Sequence, residues 1–173
     1  MMDRTLDQGQ EDQIPTGYRG RVLIVEDDQD SMNWLSTLLK HNQFEVLGAG
    51  DGMQAMQMAV RETPDLIILD VGLPAGNGIF VLESIRRNED IHQTPVIVWS
   101  GAPGFRPQEA LDAGASCFLP KPCTNESIMH AVESALLTAE HYRNQRAAST
   151  TAAAAPAPAG LPQEAVVPPP FAR

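Results

Sequence analysis

Four short apolar runs that each end in a polar side chain constrain the fold of this chain most strongly. The polar residues are Glu26 and Asp27 after run 22–25, Asp70 after run 65–69, Ser100 after run 95–99, and Lys121 after run 115–120. Continuous apolar runs of this length are typical of strands that are buried on both faces. The carboxyl ends of such strands form the edge at which open parallel α/β sheets build their sites. The sequence therefore predicts that three carboxylates, a hydroxyl and an ammonium converge on one rim, as a phosphoryl-transfer site with room for a divalent cation.

Helical spacing between these runs predicts a regular alternation of strands and helices. The predicted strands are 21–25, 44–47, 65–69, 95–99 and 115–120. Predicted helices lie at 31–40, from Asp51 to before Pro64, at 77–88, in a short turn from Pro107 to Leu111, and from Thr124 or Asn125 to about Arg146. Asp28 or Asp30 is the expected N-cap of the first helix. Alternation of this kind predicts an α/β fold, a five-stranded parallel sheet of doubly wound (βα)5 topology with helices on both faces.

Both ends of the chain differ in composition from this middle part. Residues 1–20 are polar and show neither a helical nor a strand period. Residues 147–173 contain ten alanines and six prolines but only two charged side chains. Such a tail buries too little apolar surface to offset its conformational entropy. We therefore expect a flexible extension at 1–20, one domain at 21–146 and a disordered Ala/Pro-rich tail at 147–173.

Charge and composition exclude several functional classes. The net charge is −10, and residues 21–146 account for −8 of it, with seventeen acidic and nine basic side chains. Nucleic-acid binding normally needs a basic patch, which this sequence lacks. No apolar run approaches the length of a membrane span, no secretory signal opens the chain, and two cysteines are too few for a disulfide framework. We expect a cytoplasmic protein that binds neither nucleic acid nor membrane.

The polar strand ends resemble those of a known family, the receiver domain of two-component response regulators. The resemblance rests on four strings, namely 22–28, 69–74 together with Gly78, 98–101, and 114–122. It covers about 126 of the 173 residues and includes every catalytic position in order. It implies a flavodoxin-like fold, and the absence of a following domain before residue 173 suggests a stand-alone regulator of the chemotaxis-regulator type.

The resemblance implies a chemistry centred on Asp70. That carboxylate would accept a phosphoryl group from the phosphohistidine of a sensor histidine kinase or a phosphotransfer protein. Mg²⁺ would be held by Asp27, Asp70 and the backbone carbonyl of Gly72. Glu26 would lie in the outer shell of the ion or reach it through a water molecule. The protein would catalyse its own phosphorylation and dephosphorylation, without classical turnover.

Further residues take their expected roles from the same resemblance. Lys121, one of two lysines in the chain, and Ser100 would contact the phosphoryl oxygens. Pro122 would fix the loop through a cis peptide bond, and Ser100 and Phe118 would form the switch. The switch would bias the face made by the fourth helix, fifth strand and fifth helix toward an unknown downstream protein. The long last helix suggests a possible homodimer.

Some positions depart from the family pattern and leave alternatives open. The segment from Ser100 to Gly114 is short and carries two prolines, which puts the fourth helix in doubt. Gly72 and Ala102 are too small to orient an attacking water, so we expect no specialised fast autodephosphorylation. A phosphorylation-independent pseudo-receiver remains an alternative, although no catalytic position is lost. A haloacid-dehalogenase-like phosphatase is less favoured, because its second acid would fall at Gly72.

Overall fold

Five strands alternate with five helices in the residues that the computed structural model describes, 17–73 and 78–153, with side chains described up to residue 145. The strands are β1 Arg21–Val25, β2 Glu45–Ala49, β3 Leu66–Leu69, β4 Val96–Ser100 and β5 Cys117–Pro120. The helices are α1 Gln29–His41, α2 Gly52–Glu62, α3 Gly78–Arg87, α4 Pro107–Asp112 and α5 Asn125–Ala153. None of the described helices is both long and apolar enough to cross a membrane.

All strand pairs are parallel, in the order β2-β1-β3-β4-β5. The register aligns the last residues of the central strands, with Val25 beside Leu69 and Leu69 beside Val98. The chain continues on one side of β1 with β2 and then crosses to the other side with β3. This reversal opens a crevice at the carboxyl ends of β1 and β3, where sites of doubly wound sheets lie. The predicted fold class is confirmed.

Alternate residues of the central strands point to two separate cores. Leu23 and Val25 pack on the side covered by α2 and α3, whereas Val22 and Ile24 pack on the side covered by α1 and α5. Each of the central strands β1, β3 and β4 is therefore buried on both faces, which explains why its sequence is a continuous apolar run rather than an alternating one.

Helix starts follow the predicted capping residues. The Asp28 carboxylate accepts a hydrogen bond from the backbone N–H of Ser31 at 2.8 Å, so Asp28 rather than Asp30 caps α1. Asp51 caps α2 through the N–H of Gln54 at 2.8 Å. Thr124 Oγ1 lies 3.2 Å from the N–H of Ser127 at the start of α5. Helix α4 is short, as its prolines predict.

Most boundaries differ from prediction by one or two residues. Strand β2 begins after Phe44, which is buried, and β5 begins two residues later than predicted. The largest difference is α5, which runs to Ala153 instead of ending near residue 146. Alanine has the highest helix propensity, and four of residues 147–153 are alanines, so this segment continues the helix. Residues 147–153 of the predicted disordered tail are therefore helical, while residues 1–16 and 154–173 lie outside the described residues.

Candidate active site

Asp70 follows β3 directly and lies in the crevice between the ends of the central strands. Its backbone N–H donates to the carbonyl of Val25 at 2.9 Å, which fixes the residue against the end of β1. The side chain is largely buried, and its Oδ1 accepts hydrogen bonds from the N–H of Gly72 at 2.8 Å and from Ser100 Oγ at 2.5 Å. The structure therefore brings Ser100, at the end of β4, onto the predicted acceptor.

Lys121 joins the ends of three strands. Its Nζ donates to Asp70 Oδ2 at 2.6 Å and also to Glu26 Oε2. The Lys121 backbone N–H donates to the carbonyl of Ser100 at 3.0 Å, which continues the pairing of β5 with β4. Lys121 lies 95 positions after Glu26 and 51 positions after Asp70 in the sequence, and it completes the predicted rim.

The third acidic side chain completes a group that suits a hard cation. Glu26, Asp27 and Asp70 each offer a carboxylate oxygen, and these oxygens lie within 4.8 Å of one another. Glu26 is buried and Asp27 is exposed, so the group opens to solvent on one side. Two carboxylates about 4 Å apart repel by roughly 4 kcal/mol at an effective dielectric near 20. An all-oxygen donor set of this charge fits Mg²⁺, which binds through few carboxylates and keeps several waters.

The two buried carboxylates have pKa values that shift in opposite directions although both contact Lys121. Burial raises the pKa of Glu26, because lost solvation outweighs the attraction of Lys121. Burial also opposes ionisation of Asp70, but hydrogen bonds from Lys121, Ser100 and Gly72 outweigh it and lower the pKa of Asp70. Burial disfavours the ammonium of Lys121, yet its hydrogen bonds to Asp70 and Glu26 raise its pKa. Asp70 is therefore an ionised carboxylate, the form that a nucleophile requires.

The two remaining predicted residues lie close to this group. Phe118 is half-buried on β5 beside Val98, with its ring centroid 5.9 Å from that of Phe105. The peptide bond between Lys121 and Pro122 is cis. The Gly72 N–H is bound to Asp70, and the role of the Gly72 carbonyl as a metal ligand remains a prediction.

The pattern of polar strand ends does not identify three side chains that lie next to Lys121. Trp99 lies under the ammonium, Trp34 stacks on Trp99, and Cys123 accepts the indole N–H. Their hydrophobic character predicts core packing, and only the position of Trp99 directly before Ser100 places it near the site. Together with Lys121 they line part of a cavity of about 560 Å³.

Gly78 has an equally specific place at the start of α3. A Cβ built on Gly78 would lie 2.5 Å from both the Asp70 carbonyl oxygen and Val71 Cα. Only glycine allows α3 to begin this close to the backbone that carries Asp70.

Comparison with known sequences gives one consistent result. Residues 22–133 match the family model described as the response regulator receiver domain. The transcriptional regulatory protein CpxR of Klebsiella pneumoniae is 36% identical over 138 residues, which cover 79% of this chain and 56% of CpxR. The response regulator MprA of Mycobacterium leprae is 33% identical over 117 residues, which cover 67% of this chain and 50% of MprA. The chain thus spans about half the length of these curated relatives.

Solved structures agree with the sequence matches. The signal receiver domain of a putative LuxO repressor protein from Vibrio parahaemolyticus has a TM-score of 0.67 and 32% identity, covering 72% of this chain and 95% of that domain. The receiver domain of the sensor histidine kinase PA1611 from Pseudomonas aeruginosa has a TM-score of 0.63 and 25% identity, covering 68% and 97% respectively. That structure contains a magnesium ion coordinated in its active-site cleft.

Proposed function

Because the chain belongs to the response regulator receiver family, we propose that Asp70 accepts a phosphoryl group from the phosphohistidine of a sensor histidine kinase or phosphotransfer protein. The observation that carries this proposal is the Asp70 carboxylate, held between Ser100 Oγ and Lys121 Nζ beside two further acids. A carboxylate oxygen of Asp70 attacks phosphorus as the P–N bond of the phosphohistidine breaks. The bond electrons stay on the imidazole nitrogen, and the products are an acyl phosphate and a free histidine.

The side chains around Asp70 have separate tasks in this transfer. Phosphoryl transfer depends mainly on positioning and on stabilising charge at the phosphoryl oxygens. Lys121 would pair with one phosphoryl oxygen and Ser100 would donate to another. Glu26 keeps Lys121 at the rim before the phosphoryl group arrives.

Mg²⁺ fits this site, with Asp27, Asp70 and the carbonyl of Gly72 as the residues that would hold it. When bound, it would neutralise part of the charge that three carboxylates and a phosphoryl group bring together. Glu26 would act through water, because its carboxylate already accepts from Lys121 and from the Asp28 N–H.

Two other functions have less support. A haloacid-dehalogenase-like phosphatase would need an acid two residues after Asp70, where this chain has Gly72. A pseudo-receiver would bind partners without phosphorylation. The presence of all five expected side chains favours phosphorylation of Asp70; they are Glu26, Asp27, Asp70, Ser100 and Lys121. Partner binding that is unchanged in Asp70→Ala would support the pseudo-receiver.

Output would follow from the response of Ser100 and Phe118 to the added phosphoryl group. Movement of Ser100 toward a phosphoryl oxygen frees space next to Phe118 on the neighbouring strand, and the face of α4, β5 and α5 would change with it. The downstream partner would be a protein that binds this face, and a second copy of the chain is one such partner. Single-domain action remains a prediction, since the curated relatives are about twice as long as the part that this chain matches. A cytoplasmic location is likewise a prediction.

Intact mass measurement tests the acceptor directly. The full chain is incubated with Mg²⁺ and acetyl phosphate beside Asp70→Ala, with the exposed Asp90→Ala as the matched control. We expect one phosphoryl adduct on the wild type and on Asp90→Ala, and none on Asp70→Ala. An adduct on Asp70→Ala would place the acceptor elsewhere, and sustained hydrolysis of small phosphate esters would favour the phosphatase.

A further inference from the structure

The indole ring of Trp99 lies directly against the ammonium of Lys121. Lys121 Nζ is 4.4 Å from the ring centroid, and Trp99 is 4% exposed. An ammonium within about 6 Å of an aromatic face is attracted by the ring, most strongly by tryptophan and where water is excluded. This contact holds Lys121 without placing another charge in the site.

The ring of Trp99 is itself fixed by two contacts. Trp34 stacks on it, with ring centroids 5.4 Å apart and planes inclined by 29°. The indole N–H donates to Cys123 Sγ at 3.1 Å. Cys123 stands two residues after Lys121, so Trp99 is bound to the same loop that carries the ammonium.

Phosphorylation of Asp70 would alter the carboxylate contacts of Lys121 and not the uncharged ring of Trp99. Before transfer, the ammonium is held by the carboxylates of Glu26 and Asp70. When Asp70 carries a phosphoryl group, its carboxylate is part of an acyl phosphate, a mixed anhydride, and no longer offers the same charge to Lys121. The attraction of the Trp99 ring does not depend on the charge of either carboxylate, so it would still hold the ammonium at the rim when Asp70 is phosphorylated.

We propose that Trp99 is a positioning residue for Lys121, one that keeps the ammonium where it meets the phosphoryl group on Asp70. This inference rests on the proposed function, because Lys121 has this task only if Asp70 accepts a phosphoryl group.

Phosphorylation rates of two Trp99 variants test the role of the ring. The rate with acetyl phosphate at saturating Mg²⁺ is measured for the wild type, Trp99→Leu and Trp99→Phe. We expect Trp99→Leu to be slower by about 3- to 30-fold, the range that corresponds to a partly desolvated cation–π contact. Trp99→Phe keeps an aromatic face but cannot donate to Cys123, and it should recover most of the rate. Equal rates for the wild type and Trp99→Leu, or equally slow Phe and Leu variants, would overturn the proposal.

Magnesium binding separates positioning from general damage to the fold. The contacts of Trp99 given above are with Lys121, Trp34 and Cys123, none of which is a proposed metal ligand. The Kd for Mg²⁺, obtained from the increase of Tm with Mg²⁺ concentration, should therefore be unchanged in Trp99→Leu. If Mg²⁺ affinity and phosphorylation rate fall by the same factor, the residue supports the whole site and does not position Lys121.

Fluorescence tests the contact without changing Trp99. The chain has two tryptophans, so Trp34→Phe leaves Trp99 as the single indole emitter. Since the emission of an indole responds to a charge at its face, Lys121→Met in this background should change the emission of Trp99. The exposed Lys40→Met, which replaces the only other lysine, is the matched control and should leave it unchanged. Identical emission with and without the Lys121 ammonium would overturn the contact.

The two proposals fail in different ways. An adduct on the wild type with no rate difference in Trp99→Leu overturns the positioning role and leaves Asp70 as the acceptor. The absence of any adduct, both with acetyl phosphate and with a phosphorylated histidine donor, overturns the acceptor and the positioning role together.

Discussion

At the scale of single residues, the site carries more negative than positive charge. Glu26, Asp27 and Asp70 face one ammonium, that of Lys121. Burial opposes ionisation of both buried acids; it raises the pKa of Glu26, whereas hydrogen bonds from Lys121, Ser100 and Gly72 outweigh it and lower the pKa of Asp70. Stability and phosphorylation should therefore respond differently to changes at each acid.

Neutralising Asp27 should stabilise the protein in the absence of divalent cations. Asp27→Asn removes one of three neighbouring negative charges, so we expect Tm in EDTA to rise by about 2–6 °C, which corresponds to roughly 1 kcal/mol for a domain of this size. Mg²⁺ should stabilise the wild type by about 2.7 kcal/mol at a hundredfold excess over Kd, and so raise its Tm, but have little effect on Asp27→Asn. Thermal unfolding with and without MgCl₂ measures both effects, with the exposed Asp90→Asn as control. A lower Tm for Asp27→Asn in EDTA would contradict the repulsion.

Removing the hydroxyl of Ser100 should slow phosphorylation without preventing it. Ser100 Oγ lies 2.5 Å from Asp70, where it would donate to a phosphoryl oxygen during transfer, and hydrogen bonds to charged groups contribute about 1.5–3 kcal/mol. We expect Ser100→Ala to reduce the rate with acetyl phosphate by about 10- to 100-fold, whereas Ser100→Thr keeps the hydroxyl and most of the rate. A Ser100→Ala variant as fast as the wild type would show that the hydroxyl has no part in the transfer.

At the scale of elements, the sequence predicts what depends on local pattern. Apolar runs identify the buried strands, and Asp28 and Asp51 mark where α1 and α2 begin, because capping is a local interaction. The predicted end of α5 near residue 146 is wrong, because the helix continues through residues 147–153, four of which are alanines. The contact of Trp99 with Lys121 is also beyond local pattern, since it depends on how β4 and β5 pair.

Helix α3 should tolerate no side chain at its first residue. In Gly78→Ala the added Cβ would lie 2.5 Å from the Asp70 carbonyl oxygen, so the helix or the acceptor backbone must shift. Overpacking of this kind costs about 1–3 kcal/mol, and we expect a lower Tm together with slower phosphorylation. Gly50→Ala is the matched control, because its Cβ would meet only the end of Gln54 at 4.0 Å. Wild-type rates in Gly78→Ala would mean that this contact does not position Asp70.

At the scale of the whole molecule, the parallel sheet is what turns four distant residues into one site. Glu26, Asp70, Ser100 and Lys121 end four strands, and parallel pairing aligns those ends at one edge. This is why the sequence could predict that these four side chains lie together, while their roles in the chemistry stay predictions. The limits of the domain are harder to predict, because they depend on where the last contacts with the body of the fold occur.

Those contacts predict that residues 17–146 form an independent receiver. Within the described side chains, the most distal ion pair between α5 and the rest of the domain joins Arg143 to Asp65 at 3.6 Å. A chain cut to residues 17–146 keeps this pair and every core residue. We therefore expect its Tm to stay within about 3 °C of the full chain, the effect of surface changes, with the same rate of adduct formation.

A second cut separates the packed part of α5 from its extension. Ending the chain after Ala135 removes Leu136, which packs against the core, and the Arg143–Asp65 pair, so Tm should fall by more than the first cut causes. Thermal unfolding and intact mass after acetyl phosphate treatment compare the three chains. If the Tm of the 17–146 chain is well below that of the full chain, residues outside 17–146 stabilise the fold and belong to the domain. If both cuts leave Tm unchanged, the packing of α5 beyond Ala135 contributes nothing to the receiver, contrary to the contacts that the helix makes.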